Sequence, residues 1–151
     1  MMGAFFTIRT ATRSDLGFLV TLLKQLFSIE SDFEFDLLRQ KKGLELLLES
    51  LTATILVAEE NGAVVGMATG QIVISTAEGC SSLLVEDVVV NKQWQKKGAG
   101  TGLLRAIGDW GRAHGAGRMQ LLADSANREA HTFYHKNGWN STSLVCLRSY
   151  C

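Results

Sequence analysis

The chain has 151 residues, and fifteen Lys plus Arg balance fifteen Asp plus Glu, so net charge gives no general pull toward nucleic acid or an anionic membrane. A hydrophobic share of 46% against 20% charged excludes a disordered chain, and no apolar run approaches the ~18 residues of a membrane span. One domain, residues 1–151, around one core is expected at this length. Cys80, Cys146 and Cys151 are odd in number and far apart, which fits reduced thiols better than a disulfide framework or a zinc site. The first residues lack a basic stretch followed by an apolar one, so no secretory signal is read there and a cytoplasmic setting is expected. With no proline in the chain, glycines and polar pairs serve as punctuation. Residues 5–10 are β-branched and aromatic and predict a first strand. Thr12 with Asp15 three residues on marks a capped helix start, and Leu16, Leu19, Leu22, Leu23 and Leu26 carry the helix to about residue 27. In residues 28–36 the acids Glu30, Asp32, Glu34 and Asp36 alternate with Ile29, Phe33 and Phe35. A second helix follows over 36–50, with Gly43 as its weak point.

Residues 54–58 and 63–74 predict two strands joined by an Asn61-Gly62 hairpin turn. Glu78-Gly79 makes the next turn, and 83–90 is a very apolar strand interrupted by Glu86 and Asp87. After a loop at 91–97 comes a helix with Leu103, Leu104, Ile107 and Trp110 on one face. A strand at 118–123, a short helix at 127–136 and a last strand at 142–147 complete the order β-α-α-β-β-β-α-β-α-β. A meander followed by crossover helices implies an α+β domain with a mixed sheet and helices on its faces.

The most informative stretch is Val88, Val89 and Val90, then a polar loop, then Gln95-Lys96-Lys97-Gly98-Ala99-Gly100-Thr101-Gly102 opening an apolar helix. Glycines at a helix start let backbone N–H groups approach an anion without Cβ interference. Those first N–H groups lack helical partners and carry the positive end of the dipole, so a phosphate or pyrophosphate is the natural ligand. Residues 91–118 hold six Lys or Arg and one acid, which strengthens that reading. The alternative is a plain flexible connection. A Walker A loop needs Gly-Lys-Ser/Thr after four residues, which Gly98 to Gly102 do not supply. A dinucleotide fingerprint needs a third glycine where Leu103 stands, and too few residues follow Asp124 to finish a doubly wound sheet.

Gln95-x-x-Gly98-x-Gly100 behind the Val-rich strand resembles the acetyl-coenzyme A (acetyl-CoA) motif of the GNAT family of N-acetyltransferases. Asn127-x-x-Ala130-x-x-Phe133-Tyr134 followed by Gly138-Trp139 resembles that family's second motif, and Thr12-x-x-Asp15 and Val65-Gly66 are similar too. Gln95 stands where Arg is commoner in the family, and the tail beyond Trp139 is short for the usual final pair of strands. The resemblance implies a splayed sheet with acetyl-CoA as cosubstrate in the opening. The pantetheine arm would pair with backbone groups of Val88, Val89 and Val90, and the pyrophosphate would sit on the N–H groups of residues 96–101. Asn127 would touch the pantetheine arm, or act only as a helix cap. A homodimer is implied by the resemblance alone.

Acetyl transfer to an amine requires a neutral amine, a stabilised carbonyl oxygen and a protonated leaving thiolate. Tyr134 matches the motif position of the general acid; its bland alternative is a ring packed on the sheet. Acids are depleted in strands, so Glu86 and Asp87 stand out, and a bulge would bring both to one cleft. The pair resembles the equivalent strand of amine-acetylating relatives, diamine acetyltransferases among them, which makes Glu86 the base candidate and Asp87 an amine-orienting or structural residue. Either could instead be a solvated edge acid. Residues 28–60 carry eight acids and three bases, so Glu30 and Asp32 are candidates for attracting a small cationic amine, unless they simply form the wet side of a half-buried segment. His114, His131 and His135 lack metal-ligand spacing, so no metal is expected, and Cys146 has no visible activating base. The rival in another class is a CoA-binding sensor or interaction module that keeps the fold without catalysis.

Overall fold

The computed structural model describes residues 5–151, which fall into two units, one ending at Leu121 and one running from Leu122 to Cys151. In the first, β1 (Thr7–Thr10) passes through a 3-10 turn (Arg13–Asp15) into α1 (Leu16–Ile29). The Thr12 N–H donates to the Asp15 carboxylate at 2.8 Å, as the capping pattern predicts. Then come α2 (Leu37–Glu49), β2 (Ala53–Glu60), β3 (Ala63–Ser75), β4 (Cys80–Val85), β5 (Val89–Val90), α3 (Ala99–Ala113) and β6 (Ala116–Leu121). The sheet order is β1-β2-β3-β4-β6, with β5 also paired to β3; β4 and β6 run parallel and the other pairs antiparallel.

Side-chain alternation along β3 assigns the helices to faces. Met67 joins Ile55, Val57 and Val89 in a core with Leu19, Leu22 and Leu23 of α1 and Leu44 of α2. Gly66 and Gly70 point the other way. A Cβ on Gly66 would lie 3.2 Å from Leu103 of α3, and one on Gly70 would lie 3.0 Å from Ile107 and from Leu83. So α1 and α2 cover one face and α3 the other, the mixed sheet with helices on both sides that the element order implies. Each fully buried Leu or Ile contributes roughly 1.5–3 kcal/mol, and the buried leucines of α1 fall at the three- and four-residue spacing of one helix face.

The strand expected at 118–123 runs instead at Ala116–Leu121. Gly117 lies within this strand, where a Cβ would sit 2.8 Å from the Cys80 sulfur, so the close approach favours glycine.

The second unit contains α4 (Arg128–Lys136), whose N-cap Asn127 accepts the Ala130 N–H at 3.1 Å. The strand expected at 142–147 is not formed, which corrects the predicted element order. Leu144, Val145 and Leu147 are 81%, 79% and 90% exposed, so the segment has neither a ladder partner nor a buried face. β-propensity alone does not hold a strand without those.

Candidate active site

The site begins with a mismatch in step count. Val85 pairs with Gly70 and Val89 with Met67, so β3 advances three residues while its partner advances four. The extra residue is a β-bulge at 86–88. In a regular strand Val85 and Val89 would share a face. Here Val85 shares the α3 face with Gly70, and Val89 turns to the α1 face with Met67.

Two consequences follow from the bulge. First, β6 stays paired to β4 only as far as Val85, so β5 leaves β6 behind and the sheet opens between them. The Asn91 N–H donates to Val65 C=O at 2.7 Å, which fixes the phase of the β5 ladder. Val89 therefore turns its backbone groups toward β3, and Val88 and Val90 turn theirs to the open side. The Val90 carbonyl there accepts from the side-chain amides of Gln25, at 2.9 Å, and Gln95, at 3.0 Å.

Second, both acids come to the α1–α2 side. Asp87 accepts from the Thr69 hydroxyl at 3.1 Å, and the Glu86 N–H donates to the Thr69 carbonyl at 3.0 Å. They form one wall of a cavity of about 460 Å³ whose other walls include Leu23 and Phe27 of α1, Arg39, Gly43, Leu44 and Leu47 of α2, and Gln71 of β3. Glu86 is exposed and Asp87 half-buried. Loss of water raises the Glu86 carboxyl above its ordinary value, and the charge of Asp87 raises it further. Burial raises Asp87 as well, while the Thr69 hydroxyl bond pulls it partly back.

Beyond β5, Asn91 caps a short 3-10 turn (Lys92–Trp94), and Lys97 places its ammonium 4.8 Å from the Trp94 ring centre. Lys96 has φ 61° and Gly98 φ 97°, so two left-handed residues fold the loop back before α3. The helix begins with the Gly102 N–H donating to Gly98 C=O, and no side chain caps it, whereas Asp36 caps α2 and Asn127 caps α4. The N–H groups of Ala99, Gly100 and Thr101 are therefore left for an anion, and the left-handed turns cup the approach. The open edge of β5 and this loop fit the pantetheine and pyrophosphate of acetyl-CoA. Among the described residues, no group of three or more His, Cys, Asp or Glu is placed to hold a metal, and no helix is long and apolar enough to cross a membrane.

Residues 21–139 match the family described as the acetyltransferase (GNAT) family. The chain belongs to that family. It is accordingly an acyltransferase that uses acetyl-CoA as cosubstrate. It is 30% identical over 132 residues to the uncharacterized N-acetyltransferase YhfO of Bacillus subtilis (strain 168), covering 87% of this chain and 88% of that one. Two solved structures share the fold. The aminoglycoside N-acetyltransferase AAC(6')-Iy in complex with CoA superposes with TM-score 0.85 at 20% identity, over 99% of this chain and 98% of the other. Glucosamine-6-phosphate N-acetyltransferase from Arabidopsis thaliana superposes with TM-score 0.78 at 22% identity, over 97% and 99%.

Against this GNAT frame the sequence-derived candidates divide into groups. Glu86 and Asp87 share one cavity wall; Val88, Val90 and Gln95 meet at the open edge of β5; Lys96 to Thr101 form the loop and helix start. Tyr134 and Asn127 lie on α4 in the second unit, where the Tyr134 ring is 5.9 Å from that of Trp139. Glu30 and Asp32 are not in the cavity lining. They occupy the connection after α1, which Phe33 ties down with its ring 5.4 Å from Phe27. Sequence reasoning missed Arg39, Gln71, Thr69 and Gln25. The one available signal was Arg39 itself, a base within an acid-rich stretch.

Proposed function

We propose that residues 1–151 act as a single N-acetyltransferase domain that moves the acetyl group of acetyl-CoA directly to the primary amine of a small molecule. The observation that carries the reading is the pair Glu86 and Asp87, turned by one bulge into an apolar-walled cavity beside the open edge of β5. The acceptors in the neighbours' names, aminoglycosides and glucosamine 6-phosphate, are small amines and support it.

In this reading Val88 and Val90 hold the pantetheine arm through their outward backbone groups, as a sheet edge holds an added strand. The N–H groups of residues 96–101 hold the pyrophosphate, with Lys96 and Lys97 adding charge. When bound, acetyl-CoA supplies an acetyl group already activated as a thioester. Glu86 takes the proton of the entering ammonium, directly or through a water it holds; its raised pKa brings it nearer the operating pH, where a base works best. Asp87, fixed by Thr69, orients the amine through its remaining N–H bonds. Tyr134 gives a proton to the leaving sulfur, a role supported by its motif position, and Asn127 adds a contact to the pantetheine arm. Glu30 and Asp32 act only through the negative potential of the α1–α2 connection.

The test is thiol release from acetyl-CoA across a panel of small amines. Initial-rate lines should intersect, as expected when both substrates are bound together; parallel lines would overturn direct transfer. Tyr134→Phe should lower kcat far more than it weakens acetyl-CoA binding, and an unchanged kcat removes Tyr134 from the mechanism.

A further inference from the structure

Besides the two acids, the same cavity is lined by a cation, Arg39. Among the described residues no carboxylate lies within 4.0 Å of the exposed Arg39 guanidinium; the same holds for Arg105 and Arg128, which do not line the cavity, whereas Arg9, Arg13, Arg112 and Arg118 have such partners. Its backbone N–H donates to the Asp36 cap at 3.0 Å. Helix stability does not explain the residue either. Arg39 stands in the first turn of α2, where the helix dipole disfavours a positive side chain. Cation and dipole together make the part of the cavity beside Arg39 attractive to an anion. The lining also carries the apolar side chains of Leu23, Phe27, Leu44 and Leu47.

We propose that the cavity takes an amphoteric acceptor: its amine faces Glu86 and Asp87, its apolar body lies along the leucines and Phe27, and a carboxylate or phosphate at its far end is held by Arg39. This rests on the reading of Glu86 and Asp87 as the amine end. An acceptor carrying only positive charge would meet Arg39 unfavourably, so the same residue attracts one class and rejects the other. The planar guanidinium suits either oxyanion by paired N–H bonds.

The test uses matched pairs in which a chain separates the amine from the anionic group and only that group differs: 4-aminobutanoate and propylamine, 6-aminohexanoate and pentylamine, 8-aminooctanoate and heptylamine, phosphoethanolamine and ethanolamine. Calorimetric binding to the CoA-loaded protein and acetylation rates are measured for wild type, Arg39→Gln and Arg39→Lys, with circular dichroism as the check on folding. In at least one pair the anionic member should bind about tenfold more tightly. Arg39→Gln should bring that ratio close to one, and Arg39→Lys should keep part of it. The carboxylate and phosphate pairs tell which anion is preferred. A preference for the anion-free member in every pair, a ratio that survives Arg39→Gln, or no binding by any probe overturns the proposal. Arg39-dependent binding of the anionic member without acetylation upholds the anion site and overturns the acetyl-transfer reading.

Discussion

Two groups of acids in the first unit show how environment divides structure from chemistry. At the β1–α1 corner, Asp15 is only 5% exposed, yet it is paired: the Arg9 guanidinium donates to it at 2.8 and 3.0 Å and to Glu59 at 2.6 Å. The Arg9 bonds outweigh burial, so Asp15 is held below the ordinary carboxylate range and Arg9 is held charged. At the bulge, Glu86 and Asp87 have no cation within 4.0 Å among the described residues, and partial loss of water raises both. The corner is a lock with its charges satisfied. The bulge holds both carboxyls above their ordinary values, the direction that suits a group exchanging protons with a substrate.

Breaking the bulge side has the largest expected effect. Glu86→Gln keeps the shape and removes the proposed base, so kcat/KM should fall about a hundredfold or more and the acidic limb of its pH profile should disappear. An unchanged limb would take Glu86 out of the proton transfer. Breaking the lock should instead cost stability. Asp15→Ala removes both Arg9 bonds and the Thr12 cap, and urea unfolding should register a loss of about 2–3 kcal/mol. Because the folded pKa of Asp15 is depressed, this contribution is present above the ordinary value of 3.8 and is lost as pH falls through the folded value. The deficit of the variant should therefore shrink in acid.

Both regions were partly legible in the sequence, for different reasons. Thr12-x-x-Asp15 is a local pattern, and local patterns survive folding; the cap forms as read. Glu86 and Asp87 stood out because acids interrupt an otherwise apolar strand, and the glycine-rich start of α3 stood out because little else needs it. Arg39 and Gln71 were passed over because their place in the site depends on α2, β3 and the bulge lining one cavity, and periodicity names the buried face of a helix but not which polar position borders a cavity. Residues 142–147 misled for the opposite reason: their β-propensity is real, but no partner strand or core takes it up.

A smaller change sharpens the contrast by altering one acid through the other. Asp87→Asn keeps an acceptor for the Thr69 hydroxyl and removes the charge that helps to raise Glu86. The Glu86 pKa should drop toward its ordinary value of 4.5, and the acidic limb of kcat/KM should move to lower pH. The stability sign is opposite to that at Asp15. A carboxyl whose folded pKa is raised binds more protons folded than unfolded, so it destabilises as pH rises through that window. At neutral pH the melting temperature of Asp87→Asn should therefore exceed that of the wild type, and the gap should close below the ordinary carboxylate range. A gap that does not depend on pH would mean that Asp87 acts through packing alone.

The smallest expected effect separates the cavity from the helix that walls it. Gly43 lies within α2 and lines the cavity, and a Cβ there would meet nothing within 4 Å. Gly43→Ala should therefore stabilise the protein by about 0.5–1 kcal/mol, the usual gain from removing a mid-helix glycine, without any clash to oppose it. The new methyl group projects into the cavity space, so bulky amines should lose kcat/KM while small ones change little. Loss of stability would mean that the space is filled in solution. Equal kinetics for bulky and small amines would mean that the acceptor does not pass this side of α2, and the glycine would then be only a weak turn in the helix rather than room kept for a substrate.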